Sequence, residues 1–417
     1  MASFEKVLQP KVAIIGGGPA GLNLAAKLAP RVDGAVMVFD REKDAGGIPR
    51  HANHIGYGIR DRQRVYLGPK YAQILVAEAK AAGAIIYTRT QITNWVDDDA
   101  LAATSPDGRL KIQPEVFVFA TGARERPRPA RHITGDRSAG ILTTGQLQNL
   151  VHLHGQKVGK NALIVGGELV SWSAALTLKR SGTEVAGLVT EYPKAESYGL
   201  FNIGGRMLFQ TKVITNSRVV ALHGKPRIEQ AELENVVTGE RILVPCDTVV
   251  FTGDWIPDNE LLRMRGVELD PTSLSPVVDG SMRTNIPGIF TVGNVNHPVE
   301  TADVVSLEGQ FVADQIISYL HGKRPADPGV RIRVTDPFRW VSPAVLRPDD
   351  PAPARERLVA GTNKFIAFPT VVLRQDGKEI GRMKLMWPAS PGRAFRIPAS
   401  LLAGVDYAGG DLELSVE

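Results

Sequence analysis

A chain of 417 residues, 43% hydrophobic and 22% charged, is long enough to bury two or three domain cores and has an ordinary globular composition. Its formal charge of +5 is small for this length; it mildly favours anionic ligands and does not indicate nucleic acid, and the densest basic run, Ala123–Arg131, is broken by prolines and reads as a solvated loop. The single cysteine, Cys246, excludes an intramolecular disulfide, a redox-active cysteine pair and a zinc or iron–sulfur site built from several thiolates.

The first eleven residues carry no apolar signal core, and no apolar run reaches membrane-spanning length, so the expectation is a cytoplasmic enzyme without an integral membrane segment. Val12–Ile15 reads as a short buried strand. Gly16, Gly18 and Gly21 follow at Gly-x-Gly-x-x-Gly spacing, with Pro19 and Ala20 opening a helix. Gly16 permits the tight turn, Gly18 lets a pyrophosphate approach the backbone, and Gly21 lets helix and strand pack closely. The next strand ends at Asp40, followed by Arg41. A carboxylate there can accept hydrogen bonds from adenosine ribose hydroxyls, and the helix N-terminus offers free amides to phosphate.

Further along, Gly46 and Gly47 form a turn ahead of a polar stretch holding His51, His54, Tyr57 and Arg60. A second buried strand, Val116–Phe119, ends in Ala120-Thr121-Gly122. Residues 162–182 repeat the strand–glycine–helix pattern with substitutions: Gly166 keeps the first position, Glu168 takes the second and Ser171 the third. A carboxylate at the second position repels a pyrophosphate in a partly dry site. Either Glu168 turns outward and the site works, or the domain keeps its fold and has lost or changed its ligand; the second reading is favoured. If a nicotinamide cofactor binds, Glu191 at the next strand end favours NAD over NADP.

Residues 284–316 read as strand, Gly293-Asn294 turn and long helix, with His297 in the turn and Glu300, Thr301 and Asp303 at the helix start. His321–Gly329 reads as a linker. Beyond it, alternating apolar runs and the Asp376-Gly377 pair predict a small antiparallel β domain.

The glycine turn, the Ala-Thr-Gly end, the Phe251–Leu262 turn and the Gly293-Asn294 return together resemble the two-dinucleotide-domain flavoproteins of the thioredoxin reductase and glutathione reductase kind. Gly46, Gly47, His54, Gly68, Pro69, Tyr71 and the 120–127 and 139–148 segments also resemble the FAD-binding alpha-type subunits of opine oxidase, hydrogen cyanide synthase and dye-linked amino acid dehydrogenases, and the FAD oxidoreductases that accompany glycerol-3-phosphate dehydrogenase. Ala52 stands where those proteins carry a cysteine, and the cysteine-rich tail many of them have is absent.

The resemblance implies an α/β fold with two Rossmann-like dinucleotide-binding domains, the FAD domain discontinuous (1–152 and 284–322), an NAD(P)-binding-like domain at 153–283 and a β domain at 325–417. It implies FAD, with NAD(P) open, held by Gly16, Gly18, Pro19, Ala20, Gly21, Asp40, Arg41, Gly47, Ala120, Thr121, Gly122, Gly293, Asn294 and Thr301. Asn294 replaces the family's usual Asp. With no cysteine pair, hydride is expected to pass from a small amine, hydroxy or sugar-like substrate, or from a nicotinamide, to the flavin. His54, then His297 and His51, are the candidate bases, while Tyr57 and Arg60 could orient an anionic substrate. The alternatives are an NAD(P)H-dependent reductase of quinones or small carriers, and a non-catalytic electron-transfer subunit. A second polypeptide, an acceptor protein or an oligomer all fit; no metal is expected.

Overall fold

All four side chains of Val12–Ile15 are buried, because a central parallel strand is covered on both faces. In the computed structural model, which describes residues 4–325 and 329–417, this strand lies in a five-stranded parallel sheet. The order is Ile289–Thr291, Val116–Phe119, Val12–Ile15, Val36–Phe39, Ile85–Tyr87. Val12 and Ile14 pack with Leu22, Leu75 and Val312 of three helices, while Ala13 and Ile15 pack with Leu101, Leu110 and Ile112 of a four-stranded sheet. The alternation of the strand thus serves two different layers.

The helices Pro19–Leu28 and Ala302–Leu320 cross closely. A Cβ on Gly309 would lie 2.3 Å from the Ala20 carbonyl oxygen, so only glycine allows this approach.

The chain forms two compact units, one of residues 1–50, 55–123 and 257–417, the other of residues 51–54 and 124–256. The second unit repeats the first. Its parallel sheet runs Ile141–Thr143, Thr248–Phe251, Asn161–Val165, Glu184–Val189, Val213–Ile214, beside a second four-stranded sheet. The edge strand next to the closing strand comes last in the chain in the first unit and first in the second. These divisions differ from the boundaries expected at 152/153 and 283/284. Residues 141–143 hydrogen-bond to Thr248–Phe251, which draws the stretch 124–152 into the second unit, and His51–His54 joins it too.

The C-terminal region clusters with the first unit. It has a five-stranded sheet and a three-stranded sheet around Val330, Leu358, Val371, Leu373, Ile397 and Leu414. Pairing is antiparallel except between Val330–Val334 and Leu412–Val416. The Asp376-Gly377 turn joins Thr370–Gln375 to Lys378–Lys384, with φ of 49° and 76°, the left-handed pair that a tight hairpin requires. Arg347 pairs with Asp279 at 3.2 Å and Asp350 accepts from Ser281 Oγ at 2.7 Å, fastening this region to residues 279–283. Residues 326–328 of the expected linker lie outside the described residues. Among the described residues no helix is long and apolar enough to cross a membrane.

Candidate functional site

The first glycine turn is built by contacts that exclude side chains. A Cβ on Gly16, whose φ is 111°, would lie 2.3 Å from the Ala120 oxygen, and one on Gly21 would lie 2.2 Å from the Gly16 oxygen. Gly18 differs: a Cβ there would meet only the Gly47 Cα, at 4.0 Å. The backbone at Gly18, followed by Pro19 and Ala20 in the first helical turn, therefore faces open space, as a pyrophosphate cradle requires. Gly46 donates its N–H to the Gly17 oxygen at 2.7 Å, which seats the Gly46-Gly47 turn on the same loop.

Asp40 accepts from Gly17 N at 3.0 Å and from Glu42 N at 2.8 Å. Burial pushes its carboxyl above the usual range against the pull of these two N–H donors. Arg41, largely exposed, reaches Asp258 at 3.7 Å. Asp258 also clamps the Ala120-Thr121-Gly122 turn: its N–H donates to the Gly122 oxygen at 2.9 Å and its carbonyl accepts from Thr121 Oγ1 at 2.7 Å. Two stretches 137 residues apart thus close one turn.

The return segment meets this cradle. A Cβ on Gly293 would lie 2.9 Å from the Ala20 Cβ. Asn294 donates through Nδ2 to the Glu300 oxygen and accepts at Oδ1 from the Glu300 N–H, both at 3.1 Å. An amide can do both and an ionised carboxylate cannot, which is a physical reason for asparagine rather than aspartate here. Thr301, the N-cap of helix Ala302–Leu320, donates to Asp303 at 2.5 Å. Asp303 also accepts from Arg60 N at 3.0 Å and Arg60 Nη1 at 3.1 Å, which anchors Arg60 to this helix start. Burial raises the Asp303 carboxyl, but Thr301 and Arg60 outweigh it and hold it below the usual range.

His297 is fully buried and its Nε2 pairs with Glu308 Oε2. Glu308, itself buried, also accepts from Gly293 N at 2.7 Å. Burial disfavours charge on His297, but Glu308 more than offsets this and its pKa lies above the ordinary value. Sequence reasoning missed Glu308; the available signal was a lone acid on the otherwise apolar face of a helix.

His51 and His54 belong to the other unit. His51 is buried, with Nδ1 3.3 Å from Gln148 Oε1, and Gln148 in turn donates to Ser173 at 2.8 Å. His54 is partly buried, and its N–H donates to the Ala52 oxygen at 2.8 Å.

In the second unit, Glu168 turns inward. It is 8% exposed and accepts from the Asp254 N–H. Burial, reinforced by the neighbouring Glu196, pushes its carboxyl up to about 8, and burial pushes Glu196 to about 7. The position at which a working turn would present bare backbone is filled by a carboxyl group.

A family model described as pyridine nucleotide-disulphide oxidoreductase matches residues 10–309. A ferredoxin–NADP reductase of Salinispora tropica is 28% identical over 292 residues, covering 68% of this chain and 85% of its own length. An opine oxidase subunit of Rhizobium meliloti is 25% identical over 334 residues; the match covers 72% of this chain and 61% of that protein, so this chain spans less than two thirds of it. The crystal structure of T. acidophilum thioredoxin reductase superposes with a TM-score of 0.63 at 20% identity, over 75% of this chain and 99% of that one, a likeness of fold.

Proposed function

The chain belongs to the pyridine nucleotide-disulphide oxidoreductase family and is an FAD-dependent oxidoreductase, and we propose that within it the chain oxidises a small amine, hydroxy or sugar-like substrate. Gly16, Gly18, Pro19, Ala20 and Gly21 would hold the pyrophosphate. Asp40 and Arg41 would meet the adenosine end, and Gly47, Ala120, Thr121 and Gly122 would line the approach. Gly293, Asn294 and Thr301 would hold the flavin end. Open backbone at Gly18 beside a fixed carboxylate at Asp40 fits that group. Bound there, FAD supplies the hydride acceptor.

The chain's own residues set the rest. The Ala302–Leu320 helix presents its N-terminus, which favours negative charge nearby. His297 is paired with Glu308, which favours its charged form, and would offer positive charge beside the flavin end. His54 is the first candidate to take the substrate proton; His51 is fastened by Gln148. No cysteine pair within these 417 residues can take part, because Cys246 is their single cysteine.

The observation that carries this reading is the buried Glu168 carboxyl, which fills the second unit's glycine turn where a pyrophosphate needs bare backbone and so disfavours nicotinamide as electron source. Anaerobic mixing tests it. Flavin bleaching by members of an amine, hydroxy-acid and sugar panel, with none by NADH or NADPH, is the expected result; rapid bleaching by NADPH alone would overturn it. That outcome would support the NAD(P)H-dependent reductase, which the ferredoxin–NADP reductase relatives favour. Bleaching only after a second polypeptide is added would support an electron-transfer role, in line with the opine oxidase relative, which is itself one subunit of an oxidase.

A further inference from the structure

A cleft in the first unit lies between the return segment and the C-terminal sheets, lined by His297, Glu300, Ser342, Arg355, Arg357 and Arg396 among others. We propose that this cleft binds an oxyanion, a carboxylate or phosphate carried by the substrate, on Arg355, Arg357, His297 and Ser342.

Two buried polar atoms in it have no hydrogen-bond partner among the described residues, His297 Nδ1 and Ser342 Oγ. His297 is 1% exposed and Ser342 5%. Leaving such groups unpaired is costly, and a site that is built to be filled explains both at once. His297 Nε2 is engaged by Glu308, so with the ring protonated Nδ1 is a free N–H donor at the cleft.

The charges agree. Arg396 is spent on Glu300, which it grips through two contacts of 2.9 and 2.5 Å. Arg355 and Arg357 have no carboxylate partner among the described residues. Arg357 lies with its guanidinium carbon 5.6 Å from the Trp387 ring centroid, a packing that leaves guanidinium edge N–H groups for a ligand. Burial, and then the neighbouring Arg396, disfavour the charge on Arg355; Glu300 favours it, and Arg60 and Arg357 add to the repulsion. Three guanidinium groups, Arg355, Arg357 and Arg396, with His297 beside them, thus face two carboxylates, Glu300 and Glu308, and an anion is favoured there. Arg355 and Glu356 both sit in the left-handed region, at φ of 59° and 54°, which places two consecutive non-glycine residues in a costly conformation at the rim of the cleft.

The assignment of this anion to the substrate rests on the function proposed above; the binding of the anion does not. The test is a thermal-shift and calorimetric titration of the purified full chain with acetate, malonate and inorganic phosphate, against chloride at matched ionic strength. The expected result is saturable uptake of a carboxylate or of phosphate. The affinity falls about tenfold in Arg355→Gln and in Arg357→Gln, further in the double variant, and recovers in part in Arg357→Lys. The preferred probe identifies the group. No uptake beyond the chloride control, or undiminished uptake in the double variant, overturns the proposal. Anion uptake in a protein that no panel substrate bleaches leaves the site standing and removes the function proposed above. Bleaching by a substrate without an anionic group, with KM unchanged in the double variant, does the reverse for the substrate assignment.

Discussion

Glu168 and Gly253 compete for one volume: a Cβ built on Gly253 would lie 1.8 Å from Glu168 Oε1. The glutamate fills space that a side chain on the opposite turn would otherwise take, and Gly253, at φ of 59°, is held open for it. Gly253→Ala is therefore expected to expel the carboxyl and destabilise the second unit, with urea unfolding reporting the loss. Combining it with Glu168→Gly removes the clash, so the double variant is expected to be more stable than Gly253→Ala alone. A double variant no better than the single would refute this packing account.

The same carboxyl gives a pH signature. Glu168 and Glu196 are raised to about 8 and about 7 from an ordinary 4.5, so both are neutral when folded while the unfolded chain ionises them from about pH 4.5 upward. The unfolded state then binds fewer protons, and stability falls as pH rises through the window from about 4.5 to 8, levelling above it. Glu168→Gln is expected to flatten that slope and to gain on the order of a few kcal/mol at pH 8. Denaturant midpoints across the window measure it; a slope identical to the parent's would count against it.

Sequence patterns exposed the glycine turns, the Asp40 strand end and the Asp376-Gly377 hairpin, because each depends on residues adjacent in the chain. The oddity of Glu168 was legible too, but its inward direction was not, since that depends on Gly253 eighty-five positions away. The grouping of His51 and His54 with the second unit was hidden for the same reason: four residues leave one unit and return, with no composition change to mark it. Arg355 lies in a short turn, and Arg357 and Arg396 in the strands Arg357–Thr362 and Phe395–Pro398; nothing in their spacing marks them, and only the fold brings them to one cleft. Chemistry made by distant residues is invisible to spacing.

Asn294→Asp restores the residue type usual in the resembling flavoproteins, and it is nevertheless expected to destabilise this chain. The donor to the Glu300 carbonyl is lost and replaced by an acceptor facing an acceptor. A loss of about 1–3 kcal/mol follows from an unsatisfied pair of this kind. Thermal unfolding of the flavin-loaded protein measures it, and an unchanged or raised melting temperature would show that the loop does not depend on the amide.

Glu308 holds Gly293 and His297 together, so its removal should be felt at the cofactor as well as in stability. Glu308→Ala strips the buried imidazole of its counter-charge and the Gly293 N–H of its acceptor at 2.7 Å. Breaking a buried pair by deleting one partner costs about 3–5 kcal/mol, whereas Glu308→Gln keeps an acceptor for Gly293 and is expected to cost less. His297 has its pKa raised, so the stability it contributes is fully present below its unfolded pKa and disappears as pH climbs through the folded value. Glu308→Gln should therefore lose more at pH 6 than at pH 9 relative to the parent. Because Gly293 abuts Ala20 at the open end of the glycine turn, FAD retention, read from the ratio of flavin to protein absorbance after gel filtration, should fall in Glu308→Ala. Full retention with parental stability would mean that the buried pair neither braces the return segment nor shapes the cradle beside it.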